Sequence, residues 1–160
     1  MEAHNASLLD LLSTNNRRII PVFQRVYSWT IRECERLWTD VVRAGSTKTL
    51  KSHFTGSIVY VASGQGTATS RKPHLVIDGQ QRLTTVMLLL AALADHLESL
   101  PESEQQPVEG FAPHMIRNDY LRNANQEGEK VYKLLLSKSD KDALNAIVDG
   151  RELLADHDSR

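Results

Sequence analysis

The chain is short of the residue types that carry the commonest kinds of special chemistry. It has one cysteine, Cys34, in 160 residues. A single thiol makes no internal disulfide and leaves no room for a cysteine-rich zinc site. The longest strongly apolar stretch, Val86 to Ala94, is far below the roughly 20 residues that span a bilayer. The first residues, MEAHNASLLDLL, have no basic start, no long apolar run and no small-residue cleavage site, so they do not read as a secretory signal. Charge of one sign is also missing. Lys and Arg number 19 against 20 Asp and Glu, a net charge of -1, which excludes a chain-wide basic footprint for nucleic acid but not a local patch. There is no G-x-x-x-x-G-K-[ST], no G-x-G-x-x-G behind a strand, no H-E-x-x-H and no G-x-S-x-G. The six histidines are scattered. What remains is an ordinary balance, 41% apolar and 24% charged, sufficient for one cytoplasmic domain with a real core. The polar C-terminus reads as the front part of a longer protein.

Apolar spacing predicts the elements. Leu8, Leu9, Leu11 and Leu12 suit a helix over 4–14, and Ile19, Ile20 and Val22 a short strand whose Pro21 marks an edge. Thr30 and Glu33 form a capping box. Behind it, Ile31, Cys34, Leu37, Trp38, Val41 and Val42 form one helical stripe, with Gly45 as the stop. Residues 53–62 and 74–77 read as two strands of a hairpin with a polar tip over 63–73. From Gln80 to about Leu100 the chain is apolar nearly all round, the mark of a central helix. Pro101 to Gly110 reads as a linker, 113–125 as a helix, 130–136 as a strand and 140–148 as a helix stopped by Gly150. The expected class is α+β, a small mixed sheet around one long helix.

Three segments stand out chemically. VIDGQQRLTT (76–85) has the grammar strand, tight turn, helix start. Such a junction offers free backbone N–H groups and the positive end of a helix dipole, which suit a phosphate. Gly79 permits the turn and close approach of a ligand, and Asp78 stands near the cap position. Arg82 is a cation at the wrong end of the dipole, a cost of ~0.3–1 kcal/mol if exposed, which a bound anion would reverse. The competing reading is that Arg82 pairs with Asp78 in a structural turn. IPVFQRVYSW (20–29) places Gln24 and Arg25 in an irregular stretch after a strand. Arg25 sits among apolar neighbours and calls for an anion, while Tyr27 and Trp29 either stack on a base or plug the core. HFTGSIV (53–59) adds Gly56, a sign of a bulge or close approach, Ser57 as a hydrogen-bond donor and His53 as a group that titrates near neutrality.

Taken in order and spacing, these three segments resemble the N-terminal domain of GmrSD-type, modification-dependent restriction enzymes, over roughly residues 5–150. The later YKLLLSKSDKDAL (132–144) resembles the strand and helix that follow in that domain. The resemblance implies a fold like the ParB and sulfiredoxin group, with phosphates held at the strand-turn-helix junction. It implies binding and hydrolysis of a nucleoside triphosphate with Mg²⁺, coupled to restriction of modified DNA. Carried over, Asp78, Gly79, Gln80, Gln81 and Arg82 match D-G-Q-Q-R, and Gln24 and Arg25 match the other Q-R. Asp78 is then the Mg²⁺ ligand or water-orienting group, Gln80 or Gln81 positions the attacking water, and Gly79, Arg82 and Arg25 hold phosphates. Gln24, Tyr27, Ser57 and Thr84 complete the nucleotide contacts. The expected partners are the nucleotide, modified DNA reached through the full-length protein, a C-terminal nuclease domain or partner subunit, and a second copy as a homodimer; no membrane is expected. Two rival readings stand beside this one. The first is a DNA-binding or modification-sensing module without turnover, with Arg17, Arg18, Arg25, Arg71, Lys72 and Arg82 on a basic face. The second is a ParB-like nuclease, which lacks a clustered carboxylate set in this sequence.

Overall fold

The computed structural model describes residues 5–49, 53–62 and 72–151. Helix α1 (Leu8–Ser13) leads into strand β1 (Arg18–Ile19), followed by α2 (Ile31–Ser46), β2 (Val59–Ala62), β3 (His74–Asp78) and α3 (Gln80–Glu98). Helix α4 (Pro113–Ile116) runs directly into a wide π turn at Arg117–Leu121, and β4 (Leu134–Leu135) and α5 (Lys138–Val148) complete the order. The sheet is ordered β2-β3-β1-β4. Strand β1 pairs parallel with both β3 and β4, and β2 pairs antiparallel with β3. The architecture is α+β, as expected, and no helix among the described residues is long and apolar enough to cross a membrane.

The long helix is central because its apolar side is continuous. Leu83, Met87, Leu90, Ala94 and Leu97 are all buried, and α3 packs on α4, the π turn and α5. Val76 of β3, Leu134 of β4, Ile116 and Leu121 close the same core. The other side of α3 is less covered than its apolar sequence suggests: Leu88 and Leu89 are half-buried and Leu93 is exposed.

Several boundaries differ from the sequence reading. Strand β2 begins at Val59, not at residue 53, because Gly56 turns the chain at φ +107. The 113–125 helix is one α turn followed by the π turn, and the 130–136 strand shrinks to two residues. Gly45 lies inside α2, which ends at Ser46. The hairpin tip at 63–71 lies outside the described residues.

Two cations are buried without a carboxylate partner among the described residues. Arg18 donates to the Leu11 carbonyl, to Thr14 Oγ1 at 3.1 Å and to the Asn16 carbonyl at 3.2 Å. Lys133 donates to the carbonyls of Leu12 at 2.9 Å, Ser13 at 3.1 Å and Asp119. Both side chains therefore satisfy carbonyls at the negative C-terminal end of α1. Burial, reinforced by the neighbouring Arg18 charge, pushes Lys133 down to about 8. Arg18 is thus a core residue, which removes it from the basic face expected of a DNA-binding module. Arg71 of that face lies outside the described residues.

Candidate functional site

Strand β3 ends at Asp78, and Gly79 turns the chain at φ +87 into α3. Gly79, not Asp78, occupies the cap position, and no side chain caps the helix. The first intrahelical bond is Leu83 N–H to the Gly79 carbonyl at 3.0 Å. The N–H groups of Gln80, Gln81 and Arg82 are left without intrahelical acceptors, as at any helix start. A Cβ at position 79 would stand 2.8 Å from the Ser57 carbonyl oxygen, so glycine is required both by φ and by this approach. Asp78 is exposed at the end of its strand, opposite Val59 in the sheet. Its carboxylate has no ion pair or hydrogen bond among the described residues.

Arg82 reaches toward the 53–58 segment. Its Nη1 donates to the Ser57 carbonyl at 2.9 Å, and its guanidinium lies against Gly56, where a Cβ would stand 2.5 Å from Cζ. Only one of its five N–H donors is used in this bond. No carboxylate pairs with it among the described residues, so the Asp78–Arg82 pair that the structural-turn reading required is absent. The HFTGS segment is therefore a cradle for the Arg82 side chain.

The two glutamines grip the other segment. Gln80 Nε2 donates to the Arg25 carbonyl at 3.1 Å, and Gln81 Nε2 to the Val26 carbonyl at 3.1 Å. Gln81 Oε1 accepts from the N–H of Ser28 at 2.8 Å and of Trp29 at 3.3 Å. In return Gln24 Nε2 donates to the Ile77 carbonyl at 3.1 Å. Each Q-R element thus holds the backbone of the other. Irregular backbone needs such partners, because it has no ladder of its own. Both lone pairs of the Gln81 oxygen are taken, and one of its two amide N–H donors is used.

Tyr27 is turned inward. Its hydroxyl lies 2.9 Å from Thr85 Oγ1 and 3.4 Å from Cys34 Sγ, and burial, with the Cys34 contact, pushes its pKa above the ordinary tyrosine value. Its backbone N–H donates to Asp140 Oδ2 at 2.7 Å. Asp140 is the site residue that sequence reasoning missed. Its local signal was Ser137-x-x-Asp140 at a helix start, the pattern of a capping box. Here the carboxylate instead reaches Tyr27, 113 residues away, and satisfies an N–H of the irregular 24–29 loop.

Arg25, Gln80, Thr84, Ser137 and Asp140 line a pocket of ≈ 10 Å³, the size of about one water. Gln80 Oε1 is buried without a partner. Thr84 is buried with its hydroxyl on the Gln80 carbonyl at 2.9 Å, so it shapes this wall rather than offering a donor. Arg82 is not part of the pocket lining. The expected convergence of Arg25 and Arg82 on one cavity is not what the fold builds: they flank the start of α3 from different sides. His53 stands apart, with Nε2 3.5 Å from Asp40 Oδ2 of α2.

No cluster of three or more His, Cys, Asp or Glu forms a metal cage among the described residues. Mg²⁺ needs none when phosphates supply most of its ligands and one carboxylate suffices, and exposed Asp78 fits that part. Arg25, which has no ion pair among the described residues, the spare donors of Arg82 and the open helix start fit a polyanion.

A small mixed sheet in which an interior strand turns through glycine into a buried helix, with arginine beside the turn, defines an α+β domain. The chain belongs to the family described as GmrSD restriction endonuclease, N-terminal domain, whose model matches residues 8–159. It is therefore a component of a restriction system. No curated protein matches the chain.

Proposed function

We propose that this domain binds and hydrolyses a Mg²⁺-bound nucleoside triphosphate at the start of α3. The observation that carries the reading is the meeting of all three singled-out segments at that one helix start, held by side chain–backbone bonds that leave Asp78, Arg25 and most of Arg82 without partners among the described residues. The pocket beneath the 24–29 loop is too small for a nucleotide. The triphosphate accordingly lies on the open side, over the N–H groups of Gln80, Gln81 and Arg82, with the Arg82 guanidinium on one flank and Arg25 on the other. Asp78 holds Mg²⁺, which when bound neutralises charge on the phosphate oxygens. The water-sized pocket holds the attacking water. Gln80 Oε1 accepts a hydrogen bond from that water, which satisfies the orphaned oxygen. Attack on the terminal phosphorus breaks its bond to the bridging oxygen and yields inorganic phosphate, a nucleoside diphosphate and a proton. In this reading the turnover controls restriction of modified DNA, and cutting is left to a nuclease domain or partner subunit.

Phosphate release from the four nucleoside triphosphates, with and without Mg²⁺, tests this. Wild type is expected to turn over only with Mg²⁺. Asp78→Asn and Gln80→Leu are each expected to lose on the order of 10²-fold or more, the usual scale for groups acting on water and charge. Activity equal to wild type in both variants overturns the assignment.

A further inference from the structure

We infer that Asp140 is the general base of the turnover, taking the proton that the attacking water sheds as it bonds to the terminal phosphorus. The inference rests on the nucleotide reading above and adds a residue that lies in neither Q-R element. Strands β1, β3 and β4 run parallel. Their carboxyl ends therefore open on one side of the sheet, where open sheets with parallel strands place their ligands. Three segments leave the strands there. They are the loop after β1, the glycine turn into α3, and Leu136 to Asp140 at the start of α5. The first two carry Arg25 and the two glutamines. The third brings a single carboxylate, and its Oδ2 accepts the Tyr27 N–H at 2.7 Å.

All three segments line the pocket of ≈ 10 Å³, through Arg25, Gln80, Ser137 and Asp140. A space of this size takes one water when two or more polar groups face it. Gln80 Oε1 is buried there without a partner. Asp140 Oδ1 has no hydrogen bond among the described residues, so the carboxylate keeps acceptor capacity beyond its bond to Tyr27. A water between the two donates one hydrogen to Gln80 and the other to Asp140, which leaves a lone pair for the phosphorus. The amide oxygen only orients the water, whereas the carboxylate also accepts its proton. Arg25 and Asp140 are the charged members of the lining. Arg25 is exposed, and its charge offsets the repulsion between the carboxylate and the phosphates. In the step, the bond from water oxygen to phosphorus forms. The bond to the bridging oxygen breaks, and its electron pair stays on the diphosphate. The proton passes to Asp140 and then to solvent.

Asp140→Asn and Asp140→Ala test the inference, each measured for phosphate release with Mg²⁺, for binding of a non-hydrolysable nucleoside triphosphate, and for thermal unfolding. Asparagine keeps the size of the side chain and an oxygen for the Tyr27 N–H, but it accepts no proton. Asp140→Asn is therefore expected to lose on the order of 10²-fold or more in kcat, with the dissociation constant and Tm of wild type. Asp140→Ala is expected to lose as much in kcat and to unfold at a lower temperature, because the Tyr27 N–H is left without its acceptor. A kcat equal to wild type in Asp140→Asn, beside an inactive Asp78→Asn, overturns the role of Asp140 and leaves the nucleotide reading standing. A loss of kcat in Asp140→Asn that comes with weaker binding or a lower Tm makes Asp140 a support of the loop and also overturns the inference. A wild type without Mg²⁺-dependent turnover overturns it together with the nucleotide reading.

Discussion

Arg82→Ala is expected to lower triphosphate affinity by about 10- to 150-fold, as for loss of a charge-assisted hydrogen bond worth about 1.5–3 kcal/mol. The stability of the free protein is expected to change by less than about 1 kcal/mol. The two parts of this result have separate causes. In the free protein Arg82 makes one bond, to the Ser57 carbonyl, and its charge opposes the dipole of α3. Removing it loses the first and relieves the second. With a triphosphate bound, the same guanidinium faces negative oxygens beside free helix N–H groups, and no other side chain in the Gly56 cradle replaces it. Arg82→Lys keeps the charge without the planar fork and is expected to fall between the two. Isothermal titration with a non-hydrolysable triphosphate and thermal unfolding of the same samples separate the effects. An affinity equal to wild type in Arg82→Ala removes Arg82 from the phosphate seat.

Gln81→Ala is expected to do the reverse and act first on the fold. Its amide makes three bonds to the backbone of residues 26–29, and the side chain is only 6% exposed. Truncation leaves two N–H groups and one carbonyl unsatisfied in a half-buried seam. At about 1 kcal/mol per bond the loss is about 3 kcal/mol, or roughly 6–12 °C in Tm for a chain of this size. Gln81→Glu keeps the acceptor but turns a carboxylate oxygen toward the Val26 carbonyl, and is expected to cost a similar amount. Gln80→Ala, which loses one bond to the Arg25 carbonyl, is expected to cost about a third as much. Two adjacent glutamines of the same motif are thus expected to separate, one toward structure and one toward turnover. Equal stability losses in the two alanine variants contradict that division.

What was legible in the sequence was what neighbours in sequence decide. The capping box opens α2 as read, with Thr30 N–H on the Glu33 carboxylate at 2.8 Å. Strand β3, the glycine turn and the buried side of α3 also follow from local period and turn chemistry. What distant partners decide was hidden. Strand β1 is two residues long because β3 and β4 pair with only Arg18 and Ile19. Residues 53–58 scored as strand because Phe54, Ile58 and Val59 look like one. Gly56 bends away to seat a side chain from α3. Arg18 was placed on a basic face, yet its acceptors, like those of Lys133, are carbonyls at the end of α1 and in the π turn, which composition does not announce. At the site, the spacing of the Q-R elements pointed to one locus and the fold brings them there. The shared pocket for both arginines did not follow, because Gln80 and Arg82 leave α3 on different sides.

The central claim is that the start of α3, between Arg82 and the 24–29 loop, seats a triphosphate. The most direct measurement is the amide spectrum of ¹⁵N-labelled protein titrated with Mg²⁺ and a non-hydrolysable nucleoside triphosphate. The account predicts saturable shifts concentrated at Gly56, Gly79, Gln80, Gln81, Arg82 and Arg25, with α2 unaffected. Saturable shifts confined to α2, or a spectrum unchanged at millimolar ligand, would contradict it.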